Sequence, residues 1–381
     1  MFTRVPEAKV LILLAAAGAA AAVLAVSAPA GTIPALGRKL QVPAARAGAV
    51  ADAPDLRAPL RLSETGLYAG DGSVDPRNLP FSPQYPLWSD GAVKSRWVHL
   101  PQGATIDAGT LDLWRFPAGT RFWKEFAVNG RRIETRMIWK ADAETWIFAA
   151  YVWTEDQTDA LLAPEAGIPG LVEIAPGKRH SIPGLGDCDS CHRSSPSTVL
   201  GFNALQLSDD RDPLAPHAEP LRPGMITLRS LLEAGRLDPP RPDLLLHPPR
   251  IRESDPVARA ALGYLSANCG GCHNGSGPLA RLGLVLSHDT PGDAGAPEPA
   301  YLTAVGAPGR YPVPGVPADS SRVVAPGAPE RSSLLYRMAS RRPSSQMPPL
   351  GTVVVDEEAV RLVRRWIAGL APGSSPGRKP A

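Results

Sequence analysis

All four cysteines of the 381-residue chain sit in two pentapeptides, Cys188-Asp-Ser-Cys191-His192 and Cys269-Gly-Gly-Cys272-His273. This spacing suits attachment of a c-type haem: two thiols form thioethers with the porphyrin vinyls, and the next histidine binds iron from the proximal side. The expectation is two covalently bound haem c groups. Cys188, Cys191, Cys269 and Cys272 are the attachment points, and His192 and His273 the iron ligands. Two disulfides or one four-thiolate zinc site would also use four thiols. Neither explains a histidine after each pair in a chain with seven histidines. A thioredoxin-like CxxC fits poorly, because neither pair sits between a strand and a helix of a βαβ unit.

Each iron has a second axial position. For the second, Met347 stands in Met347-Pro348-Pro349, where the prolines hold the segment extended and let a weak thioether ligand stay in place. Met338 competes, but its spacing with Leu334 and Leu335 marks it as a core residue of a helix. A His/Met pair raises the reduction potential relative to two histidines. For the first iron the candidates are His217 in the proline-stiffened Asp212-Pro-Leu-Ala-Pro-His217, then His180 and Met225. That position could also be open, which would admit peroxide, nitrite or another small ligand.

Around these motifs the composition is loop-forming, with 43 Pro and 36 Gly, while charged residues make up 20% and the formal charge is only +3. No concentrated basic face suggests a nucleic-acid partner. Arg4 and Lys9, the apolar run Val10 to Val26 and Ala28-Pro29-Ala30 make residues 1–30 a signal peptide or an uncleaved N-terminal anchor. Residues 31–61 form a Pro/Ala-rich linker. Residues 62–175 are a Trp-rich β domain: seven of the eight tryptophans lie from Trp88 to Trp153. Its alternating segments are Lys94 to Leu100, Leu111 to Phe116, Arg121 to Phe126, Arg132 to Trp139 and Thr145 to Trp153. Asn129-Gly130 is a type I′ hairpin signal between two of them. The tryptophans fit either a core or a glycan or peptide cleft. Glu134 fits a solvated or salt-bridged strand face, and Glu155 to Asp159 a loop that could hold a hard cation.

Residues 176–250 are the first haem-binding region and 251–372 the second, with 373–381 a disordered tail. Ser254-Asp-Pro-Val257 reads as a helix start, and Ala258 to Asn268 as a short helix delivering Cys269. Asp356 to Leu370 reads as an amphipathic helix with Val360, Val363, Trp366, Ile367 and Leu370 on one face.

The chain resembles exported bacterial conserved hypothetical proteins with c-type haem sites over roughly residues 75 to 370. The resemblance rests on Tyr85-Pro-Leu-Trp-Ser-Asp-Gly-Ala92, Phe116 to Thr120, Arg132 to Arg136 and Tyr151 to Ala160. It also includes Cys188 to His192, Leu200 to Ser208, Tyr264 to Cys269 and Gln346 to Thr352. Cys269 to Leu370 separately resembles the cytochrome c domain, in which a Met-Pro methionine binds iron, and this implies Met347. The fold expected is multidomain: an antiparallel β-rich, sandwich-like domain, then a mostly α-helical, cytochrome c-like haem-binding region.

The function expected is electron transfer by an exported dihaem c-type cytochrome, exchanging electrons with a redox partner protein or small cytochrome. Haem attachment after export places it in the periplasm or another extracytoplasmic space, anchored at the inner membrane if the N-terminal segment stays uncleaved. One alternative is a haem oxidoreductase or peroxidase with an open first haem. Another is a glycan- or peptide-binding module with accessory haems.

Overall fold

The computed structural model describes residues 56–290 and 296–372. The signal or anchor segment, most of the linker and the 373–381 tail lie outside the described residues.

In chain order the strands are β1 (Leu79–Pro80), β2 (Val93–His99), β3 (Ile106–Asp107), β4 (Arg121–Val128) and β5 (Arg131–Lys140). They continue with β6 (Trp146–Trp153), β7 (Ala160–Leu162), β8 (Ile168–Ala175), β9 (Lys178–Ile182) and β10 (Leu237–Asp238). Six form one antiparallel sheet in the order β1-β2-β4-β5-β6-β7, while β8-β9 and β3-β10 are two-stranded ribbons. The Asn129-Gly130 turn joins β4 to β5 with φ of 50° and 75°, the left-handed pair that a type I′ turn needs. The segment Leu111 to Phe116 is not a strand. Its buried residues are Leu111, Trp114 and Phe116, a spacing that does not alternate, and only a single bridge from Arg115 to Asp107 ties it to β3.

The expected sandwich is not present. One sheet face carries the cross-strand row Trp97, Trp123, Met137 and Ala149, covered by Leu62, Leu67 and Tyr68 from the irregular N-terminal stretch. The opposite face carries Val98 and Phe122, packed on Phe81, Phe202, Leu207 and Leu228. Irregular chain thus buries both faces, so no second sheet is required to shield apolar surface. The tryptophans fill these cores: Trp123 donates its indole N–H to Thr65 and Trp153 to Thr135, each at 3.0 Å. Glu134 on β5 is fully buried rather than solvated, paired with Arg136 and 3.1 Å from His180.

The helices are α1 (Leu185–His192), α2 (Leu228–Glu233), α3 (Asp243–Leu246), α4 (Pro256–Cys269), α5 (Pro299–Thr303), α6 (Ser333–Met338) and α7 (Glu357–Gly369). The expected mostly α-helical second half is therefore corrected. Among the described residues beyond 250 only α4 and α7 exceed six residues, at 14 and 13. Glycine and proline through the stretch after His273 deny the backbone the donors and helical preference that a longer helix needs. Single bridges such as Val305 to Val324 and Pro308 to Arg322 satisfy the chain there instead. Nor do the parts stand apart. The described residues fall in one contact unit, and one core joins sheet residues to Phe202, Leu228 and Leu244 from beyond the expected boundary at 175.

The two long helices are set by their caps. Asp255 accepts the Ala258 N–H at 2.7 Å with Pro256 at the first turn of α4, and Asp356 accepts the Ala359 N–H at 3.0 Å to start α7. The face of α7 that buries Val360, Val363, Trp366 and Ile367 packs on α4. Each such side chain contributes about 1.5–3 kcal/mol relative to exposure.

Candidate functional site

The first motif follows a β-hairpin directly. The β8-β9 ribbon delivers the chain to Gly184, where a Cβ would lie 2.8 Å from the Glu165 carbonyl oxygen, so only glycine allows the crossing. Leu185 N–H then bonds Glu165 at 2.9 Å, and Asp187 caps Gly184 N–H at 3.0 Å, starting α1. Cys188 and Cys191, three residues apart, share one side of that helix. His192 ends it, 5.3 Å from the Phe148 ring of β6. The His192 Nδ1 lies 2.7 Å from the Thr198 carbonyl oxygen. A carbonyl can only accept, so Nδ1 carries the proton and Nε2 keeps its lone pair, the tautomer a metal-binding imidazole needs. Burial is the main cause that lowers the His192 pKa, and the charges of Lys124 and Arg136 add to it.

The second motif continues α4 into a tight turn. Cys272 and His273 N–H groups both bond the Cys269 carbonyl, at 3.1 and 2.8 Å. A Cβ on Gly270 would lie 2.7 Å from Ser287 Cα, so the backbone there passes too close for any side chain. Asn274 closes the turn by donating to the carbonyls of Gly270 and Gly271 at 3.2 and 2.9 Å. The His273 Nδ1 is buried with no hydrogen-bond partner among the described residues, and burial, then Arg337, lowers its pKa.

Met347 is held from the end of α6. Its N–H bonds the Arg337 carbonyl at 3.0 Å, and Arg337 Nε donates to Ser345 at 3.1 Å. Asp90, from the Tyr85 to Gly91 segment, accepts the Val353 and Val354 N–H groups at 2.9 Å each and so pins the chain after Met347. Trp88 ties the same segment to α4 through Asn268 Oδ1 at 2.7 Å.

A cavity of about 700 Å³ is bordered by Cys188, Cys191 and His192, by Cys269 and Cys272, and by Met347. Tyr85, Phe148, Leu205 and Val360 supply apolar wall, and Met338 reaches the wall from the core. The two motifs are close enough for Cys272 to raise the Cys191 pKa after burial, its main cause. His273 is not among the lining residues, although its neighbours Cys272 and Asn274 are.

The three distal candidates for the first iron are engaged elsewhere. His217 is held at the start of α7: its Nε2 lies 2.9 Å from Asp356 Oδ1, its Nδ1 3.6 Å from Glu358, and its ring 4.8 Å from Trp88. It caps the approach to α7 and does not border the cavity, because Asp356 offers a carboxylate in reach. His180 pairs with Glu134, and Met225 Sδ accepts the Arg222 N–H at 3.4 Å.

Asp356 thus has two tasks, the α7 cap and acceptance of His217, and its charge adds to burial in raising the Tyr264 pKa. Asp356→Ala is expected to destabilise the fold by roughly 2–3 kcal/mol, a lost cap plus stranded buried donors. Denaturant unfolding checks it, with Asp356→Asn retaining most of the stability; a change under about 0.5 kcal/mol for alanine would refute the dual role.

The four thiols are free. Burial raises the Cys188 pKa to about 11 and, with Cys272, that of Cys269 to about 12, the opposite of a redox-active CxxC pair. Among the described residues no three His, Cys, Asp or Glu side chains converge as a metal cluster. In the Glu155 to Asp159 loop, Asp156 bonds Thr154 and Thr158 while Asp159 bonds Ser63, which uses their oxygens in turns. Thr198, Asp90 and Arg337 are support residues that spacing did not single out. Asp90 lies within a motif quoted above, and Thr198 six residues past His192, but nothing local marks their partners. No family model, curated protein or solved structure matches the chain.

Proposed function

We propose that the chain is an exported dihaem c-type cytochrome acting in electron transfer, with its second haem ligated by His273 and Met347. The observation that carries this reading is the opening of both CxxCH motifs onto one cavity. Groups attached at the two motifs would be neighbours, a requirement for passing electrons within one chain. The chemistry of the donor set fits such groups. Each motif offers two protonated thiols, His192 presents a free Nε2, and the Nδ1 of the half-buried His273 has no hydrogen-bond partner among the described residues. Haem c, when bound, supplies one-electron chemistry. The chain's own part is to hold it by Cys188, Cys191, Cys269 and Cys272, to orient His192 through Thr198, and to keep Met347 in place through Arg337 and Asp90. A redox partner protein or small cytochrome would receive or supply the electron.

The full-length protein, expressed with export, tests this. Pyridine haemochrome analysis is expected to give two haems per chain. Cys188→Ser with Cys191→Ser, and Cys269→Ser with Cys272→Ser, should each leave one. A wild-type protein carrying one haem or none would sink the reading.

A second reading, an oxidoreductase or peroxidase with an open first haem, is favoured by His217, His180 and Met225, none of which lines the cavity and which are held by Asp356, Glu134 and Arg222 respectively. Carbon monoxide or cyanide binding at one haem supports it, whereas two low-spin haems inert to both leave the electron carrier. The glycan- or peptide-binding alternative draws no support from Trp114, Trp123 and Trp153, which are buried in cores.

A further inference from the structure

One wall of the cavity is built from a row of cations. Strand register places Arg96 on β2 opposite Lys124 on β4, and Lys124 opposite Arg136 on β5. Facing residues in adjacent strands bring side chains within about 5 Å on one sheet face. All three border the cavity. Lys94, two residues before Arg96 and so on the same face, donates to the Leu87 carbonyl at 2.9 Å. Two carboxylates answer these charges: Glu219 pairs with Arg96 at 2.8 Å, and Glu134 with Arg136. Lys124 has a cation–π contact 4.9 Å from the Phe126 ring and, among the described residues, no ion pair.

The row is also short of acceptors. Arg96 is only 6% exposed, yet its Nη2 is buried without a hydrogen-bond partner, and so is the Nε of Arg136. A buried cationic donor left unpaired is costly, and gathering like charges adds to the cost. Burial first, then Arg96, Lys94 and Arg136, push the Lys124 amine well below its ordinary value. An anion accepting from these groups would relieve both penalties.

We propose that Arg96, Lys124 and Arg136 form an anion seat in this cavity, with the shape and charge to take a carboxylate or a comparable small oxyanion. Arginine presents paired N–H donors suited to such planar groups, and lysine supplies the point charge between them. The same chemistry has two sources. One is the pair of propionate carboxylates of a haem attached at the first motif, and in that form the proposal rests on the dihaem reading. The other is a free oxyanion entering the cavity.

The experiment uses the full-length exported protein, wild type and Lys124→Met, with formate as the probe and calorimetric titration as the readout. Lys124 makes no ion pair among the described residues, so methionine of similar length should fold where removal of Arg136 would strand Glu134. Haem content is measured on each sample, so a protein without haem is recognised as a failure of the dihaem reading alone. If the seat takes a free oxyanion, the haem-loaded wild type binds formate and Lys124→Met weakens binding about tenfold or more, the loss expected for one charged partner. If the haem's own carboxylates fill the seat, the loaded wild type does not bind formate. In that case the Cys188→Ser, Cys191→Ser form binds it, and adding Lys124→Met removes that binding. Formate binding that Lys124→Met leaves unchanged in every form, or no formate binding in any, would overturn the proposal.

Discussion

Replacing Gly263 by alanine should destabilise the protein by about 3 kcal/mol, against the direction helix propensity alone gives. Gly263 lies inside α4, where alanine is favoured over glycine by about 1 kcal/mol. The tertiary contact reverses the sign. A Cβ at this position would sit 2.6 Å from Cδ1 of Tyr85 and nearer still to Cε1 and Cζ. The ring cannot move aside cheaply. Its hydroxyl donates to Asp212 at 2.9 Å, and its N–H bonds the Gln206 side chain at 3.0 Å. The strain must pass into α4, which carries Cys269, so the second motif should shift as well. Guanidinium unfolding of wild type and Gly263→Ala reads the loss. Adding Tyr85→Ala should make the glycine substitution much less harmful than it is alone. A Gly263→Ala protein as stable as wild type would show that the helix and Tyr85 do not meet as described.

On the proposed ligation, Met347→Ala should lower the midpoint potential of one haem by on the order of a hundred millivolts and leave the other unmoved, because axial ligands tune haem potentials across about 0.8 V. Met338→Ala is the control. Met338 is 7% exposed and packed in the α4 and α7 core, so its loss should cost about 2–5 kcal/mol of stability with little change in potential. A redox titration separates the two. Should the potential follow Met338 and ignore Met347, the assignment of the thioether ligand would be reversed.

Local sequence carried the hairpin and the helix ends well. Asn129-Gly130 can take two positive φ values with little strain, so the β4-β5 turn was legible from a dipeptide. The helix starts at Pro256 and Glu357 follow from Asp255 and Asp356, whose carboxylates cap the first turn. Architecture was less accessible. Alternation announces a strand with a buried face but does not say what covers it. Here Leu62, Leu67 and Phe202 take the place of a second sheet. The second half holds less helix than its two recognisable helices suggest, because they stand in a long glycine- and proline-rich run.

The CxxCH spacing fixed the candidate attachment residues before any fold was known, since thioether chemistry depends on covalent reach along a few residues. Met347 became a candidate for a related reason, a sulfur beside two prolines. Which distant residues stand near those motifs was a different question, and only the folded chain answers it. His217, attractive in its proline-stiffened loop, goes to Asp356 because an acceptor from a segment far along the sequence is in reach. The meeting of both motifs at one cavity, the Thr198 bond that orients His192, and the cationic row of Arg96, Lys124 and Arg136 all depend on strand register and packing. Chemistry held within five residues can be read from their order. Chemistry assembled across three strands and two motifs belongs to tertiary contact, where residue separation along the chain no longer measures distance.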